Sequence, residues 1–178
     1  MDTQVISTLV SVGVGFLLGV GWDSLKEIRS TRKTRKGVRT VLFSEIKHNI
    51  RFLEKTHEDM ESEQRKYKET VKPTGTGGYR CEGDPIQLLR SYHFEVLSRS
   101  AWESQMSFLS IALEEKEIES AFSFYSCLND ILVAHSEFQD FFLRDHNPGI
   151  RNVIAGQLLE NVMMRIKSAL EKRPSICP

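Results

Sequence analysis

The chain has 178 residues and balances 24 Lys plus Arg against 24 Asp plus Glu, so no overall basic excess draws it to nucleic acid. Its length leaves room for one globular core behind a short N-terminal segment, not for two. Cys81, Cys127 and Cys177 are odd in number and far apart, which excludes a disulfide framework and a Cys/His zinc set.

Between Asp2 and Asp23 there is no charged residue, and the uncharged run Thr3 to Trp22 is 20 residues long. A helix of that length spans about 30 Å, the thickness of a bilayer's hydrocarbon core. From Lys26 to Arg39 the chain turns basic, with Lys26, Arg29, Arg32, Lys33, Arg35, Lys36 and Arg39 against Asp23 and Glu27. Residues 1–25 therefore read as a transmembrane anchor, with Trp22 at the headgroup boundary and the basic collar on the cytoplasmic side. The seven cations are assigned to anionic lipid headgroups, which attract about 1 kcal/mol per basic residue near the surface. A cleaved signal peptide fits less well, because its positive charge precedes the apolar run rather than following it.

Ser7, Ser11, Gly15 and Gly19 recur every four residues, and Gly15 with Gly19 is a GxxxG pair. Small side chains on one stripe let two membrane helices approach closely, so the anchor is expected to bind its own copies. A dimer seam is the plainer outcome. A ring of copies, with Thr3, Gln4, Thr8 and the glycine face lining a wet channel, is the second.

Residues 26–72 form the collar and a long amphipathic helix whose core stripe is Val38, Leu42, Ile46, Asn49 and Leu53. No proline interrupts it from Trp22 to Val71, and Gly37 is its one weak point; Glu54 to Lys72 is polar enough to project into solvent as a fraying end. Residues 73–83, with Pro73 and four glycines, form a flexible loop. In 84–178, Asp84-Pro85-Ile86-Gln87 starts a helix through Leu97, and Ser100-Ala101-Trp102-Glu103 starts another through Leu113. A third carries Ile118, Phe122, Tyr125, Leu128, Leu132, His135 and Phe138 on one face. Asn147-Pro148 opens the last, with the stripe Ile150, Ile154, Leu158, Val162, Ile166 and Leu170. The expected fold is all-α, an N-terminal transmembrane helix followed by a cytoplasmic bundle of four or five helices.

Leu42-x-x-Glu45-Ile46-x-x-Asn49-x-x-x-Leu53, Ser100-Ala101-Trp102-Glu103, and Tyr125 with Leu128 and Asn129 resemble a loose family of short bacterial membrane proteins. That resemblance implies a single N-terminal pass and a helical bundle, in the inner membrane with the N-terminus outside and the C-terminal domain cytoplasmic. The layout is also similar to that of the small membrane accessory of type VI-B CRISPR loci, which implies an HEPN-like fold, pore formation, antiviral defence and a defence-system protein partner.

An HEPN ribonuclease would need an Arg and a His with four to six residues between them, and Arg51 and His57 have that spacing. With thirteen Arg and five His in the chain, such a spacing arises by chance, so this nuclease is the alternative reading. A membrane scaffold for a cytoplasmic partner is a further one. Thr74-Gly75-Thr76-Gly77-Gly78 lacks the Gly-Lys-Ser/Thr ending of a phosphate loop. Asn49 and Glu103 read as buried polar partners, His93 and His135 as packed histidines, and Trp102 as a core anchor or inter-subunit contact. No catalytic residue, metal or other cofactor is expected; the expected partners are membrane lipids and further copies of the chain, with nucleic acid the less economical choice.

Overall fold

The computed structural model describes residues 3–70, 72–73, 79–80, 84–143 and 148–174. Within α1 (Thr3–Thr70), side chains are described at Trp22 and from Lys26 onward. The anchor's Ser7, Ser11, Gly15 and Gly19 lie outside the described side chains. Among the described residues no helix is long and apolar enough to cross a membrane.

The architecture is all-α. α1 is 68 residues long, about 100 Å at 1.5 Å per residue. Gly37 does not break it, because an exposed helical glycine costs only about 1 kcal/mol and the flanking turns are good helix formers. β1 (Lys72–Pro73) pairs antiparallel with β2 (Tyr79–Arg80), Lys72 opposite Arg80; the rest of the expected flexible loop lies outside the described residues. Then follow α2 (Pro85–Ser91), a 3₁₀ turn (Phe94–Val96), α3 (Ser100–Gln105), a second 3₁₀ turn (Met106–Phe108), α4 (Leu109–Ala112), α5 (Glu115–Leu143) and α6 (Pro148–Glu171).

Packing of α1 begins at Val38. From there Leu42, Ile46, Leu53 and Met60 are buried against Leu89 of α2, Phe94, Trp102 of α3, Phe124, Leu128, Ile131 and Phe138 of α5, and Val162 and Ile166 of α6. Every α1 side chain from Lys26 to Gly37 is exposed except the half-buried Thr34. The helix therefore leaves the bundle as a bare shaft.

Five expectations change here. The segment after Glu54 does not fray: Thr56 and Met60 are fully buried, and Tyr92 donates to Asp59 at 2.5 Å. The helix expected over 84–97 stops at Ser91, since Tyr92 turns to extended backbone and lets Phe94 and Leu97 enter the core. The helix expected over 100–113 is split by the Met106–Phe108 turn, which leaves Met106 exposed and brings Leu109 and Leu113 inward. On α6 the buried face is Ala155, Leu159, Val162, Ile166 and Ala169, with Ile154, Leu158 and Leu170 at its margins. Alanines admit a neighbouring helix closely, and a stripe read from large residues alone misses that face. Phe122, expected in the core, is 62% exposed beside it.

Candidate functional site

Glu45 sits on the core stripe of α1, 8% exposed, and its carboxylate gathers five donors. Oε2 accepts from the Ala101 N–H at 2.7 Å, the Ser98 hydroxyl at 2.7 Å and the Ser100 hydroxyl at 3.3 Å. Oε1 accepts from the Tyr125 hydroxyl at 2.6 Å and the Trp102 N–H at 3.2 Å. A helix N-terminus presents orphan N–H groups and a partial positive charge, and the carboxylate satisfies both. One turn further on, the Asn49 side chain donates to the Ser98 carbonyl at 2.7 Å and accepts from the Ser98 N–H at 3.0 Å.

Burial works to raise the Glu45 pKa, but the donors, Tyr125 first, outweigh it and hold the carboxyl below its ordinary value of 4.5. Burial, and then the same contact, pushes the Tyr125 hydroxyl up. Glu45 is thus an ionised acceptor held by a full set of donors. A carboxylate in that state fixes geometry and is poorly suited to take a proton.

The Ser100/Glu103 capping box does not form. Glu103 is exposed and lies 3.6 Å from Arg99, while Glu45 from α1 occupies the place of the cap. At α2 the local cap does form, Asp84 accepting from the Gln87 N–H at 2.9 Å, but the return contact to the Asp84 N–H comes from Glu63 of α1 at 3.2 Å. Trp102 is a core anchor, stacked on Tyr125 with centroids 4.8 Å apart. Asn129 accepts from Arg99 at 3.0 Å. Glu45, Asn49, Tyr125 and Asn129, four of the residues that carry the resemblance, therefore converge on the segment 98–102.

Arg39 is removed from the headgroup set. Its guanidinium is half-buried in a two-pronged pair with Glu117 at 2.7 and 2.9 Å and donates to the Ala112 carbonyl at 3.3 Å. Glu117 also accepts from the Glu114 N–H at 2.9 Å, closing the start of α5. Burial would raise its pKa, yet the Glu114 N–H, Arg39 and the field of Arg35 hold it low. The other collar cations, Lys26, Arg29, Arg32, Lys33, Arg35 and Lys36, are exposed on the shaft.

Arg51 and His57 are not brought together. Six residues apart on one helix, they differ by about 9 Å in rise and 120° in direction. Arg51 is exposed, and the His57 Nε2 lies 3.8 Å from Glu61. Of the two histidines expected in the core, His135 is buried against Phe94 and within 3.2 Å of the Gln139 amide, whereas His93 is exposed. Among the described residues no group of His, Cys, Asp and Glu is arranged to hold a metal ion. A cavity of about 850 Å³ opens between the end of α1, α2 and α6, with Lys68 and Arg90 on its wall opposed by Asp84 and Glu160. Its charges favour no one ligand class.

The arrangement is that of a helical bundle hung on one long helix. Set beside known proteins, the chain matches no family model, no curated protein and no solved structure.

The signal for Glu45 was present in the sequence. A carboxylate between Leu42 and Ile46 on an apolar stripe must find donors, and that rule points to Glu45 as it does to Asn49.

Proposed function

We propose that the chain is a non-enzymatic, self-associating protein of the bacterial inner membrane, anchored by residues 3–22 with its helical bundle in the cytoplasm. The observation that carries this reading is the continuity of α1, which joins an uncharged 20-residue run, a basic shaft and the core stripe in one helix. A single rod of that kind transmits any movement of its lipid-embedded end to the bundle. Glu45 and Asn49 bind the rod to the segment around Ser98, and Arg39 binds it to Ala112 and Glu117, two separate places on the bundle.

Self-association rests on the small-residue stripe, and the exposed Met106 and Phe122 beside Trp102 offer the bundle an apolar face for further contact. A role as a pore or membrane-perturbing effector in antiviral defence rests on the likeness of layout alone. Alkaline carbonate washing of membranes that contain the full chain tests the anchor. The chain is expected to stay in the membrane pellet; release into the supernatant contradicts the reading.

A further inference from the structure

The shaft before the bundle is a run of exposed cations, and Arg35 at its bundle end also lies in the field of Glu117. From Lys26 to Lys36 it carries six cations and a single acid, Glu27. At 100° per residue all six cations fall within one half of the helix circumference. Successive cations three or four residues apart, such as Arg29 with Arg32 and Lys33, or Arg32 with Lys36, are like-charge neighbours that weaken a helix. The bundle offers them no packing, because burial begins only at Val38.

Lipid accounts for only part of this charge. Taking Trp22 at the headgroup boundary, Lys26 and Arg29 stand about 6 and 10 Å beyond it. The headgroup layer adds about 5–8 Å, and the surface potential then decays over a Debye length of about 8 Å. The helix axis at Arg32, Lys33, Arg35 and Lys36 stands about 15–21 Å out, at the edge of that reach once side chains lean back toward the bilayer. The shaft does not lie down on the bilayer to bring them closer, since α1 is one unbroken helix and its first twenty residues cross the membrane in this reading. A tilt of about 20°, usual for membrane helices, shortens these heights by under about a tenth.

We propose that the cytoplasmic half of the shaft, Arg32, Lys33, Arg35 and Lys36, is a docking stripe for nucleic acid, held through its phosphodiester backbone. Rows of cations about 5 Å apart along a helix match a ligand with regularly repeated negative charge. No aromatic residue lies between Asp23 and Phe43, so nothing on the shaft stacks on bases and the contact carries no sequence preference. The chain's balanced total charge hides this, because the excess is confined to one segment.

The inference rests on the anchored reading, since its distances are measured from the bilayer. The test uses the full chain in nanodiscs of zwitterionic phosphatidylcholine, which removes anionic lipid as a competitor, with a labelled RNA of roughly 30 nucleotides followed by fluorescence anisotropy. Binding is expected with a log–log salt slope of about −3, as four phosphate contacts on a single strand give. R32Q/K33Q/R35Q/K36Q is expected to weaken it by about 1,000-fold or more at about 50 mM salt, which abolishes measurable binding, while K55Q/R65Q, which removes exposed bundle cations, leaves it unchanged. An incorporated chain that binds no RNA, that loses nothing in the fourfold variant, or that releases RNA equally to polyglutamate of the same charge overturns the stripe and leaves the anchor standing. A chain that does not enter nanodiscs overturns both.

Discussion

Glu45→Ala is expected to lower the stability of the full chain by about 3–5 kcal/mol, read as a shift of the urea midpoint followed by circular dichroism in mild detergent. The size comes from what is left behind. The Tyr125 hydroxyl and the Ala101 and Trp102 N–H groups lose their acceptor inside the bundle, and each buried unsatisfied donor costs about 1–3 kcal/mol. Glu45→Gln keeps the shape and one acceptor oxygen but turns an amide NH₂ toward N–H donors, so about half that loss is expected. The effect also has a pH signature. Because the folded carboxyl is held below 4.5, its contribution is complete above that value and is lost as pH falls toward the folded pKa. The gap between the wild-type chain and Glu45→Ala should therefore be constant near neutrality and close in acid. A gap that stays constant from pH 7 to about pH 3 would show that Glu45 is not the ionised centre of this network.

Replacing Gly15 and Gly19 together by Leu is expected to convert the assembly in mild detergent to single chains, seen as a loss of oligomer in size-exclusion chromatography with light scattering. In lipid, apolar burial does not drive helices together, so association depends on how closely backbones approach. In the proposed reading, two leucines on the small-residue stripe hold the helices apart, while the anchor becomes more apolar and stays inserted. An unchanged oligomer would show that the copies meet elsewhere, with the bundle face at Met106 and Phe122 the next place to look.

What was legible in the sequence follows the range of the interaction that decides each feature. The start of α2 is set by Asp84, Pro85 and Gln87, which lie within three residues of one another, and the local pattern names it correctly. The start of α3 is capped by a carboxylate 56 residues away, so the nearby Ser100 and Glu103 imitate a cap that is not made. Arg39 belongs to the basic run by sequence and to the bundle by structure, because Glu117 draws it inward from 78 positions along the chain. The same logic applies to packing. Large residues marked the α1 stripe well, since Leu42, Ile46 and Leu53 face the core; on α6 the buried face includes Ala155 and Ala169, which carry no periodic signal of their own. The polar stretch after Glu54 misled in the other direction, because buried Thr56 and Met60, with Asp59 and Glu63 bonded to Tyr92 and Asp84, keep that end of α1 against the bundle.

In the proposed reading the first turns of α1 lie in lipid, and Trp22 reports on that directly. In the Trp102→Phe chain Trp22 is the sole tryptophan, so its emission can be followed in vesicles made with lipids brominated at known depths. The account predicts strong quenching by bromines placed near the glycerol region and weak quenching by those at the bilayer centre. Emission that no brominated lipid quenches would put Trp22 in water and contradict the anchored reading.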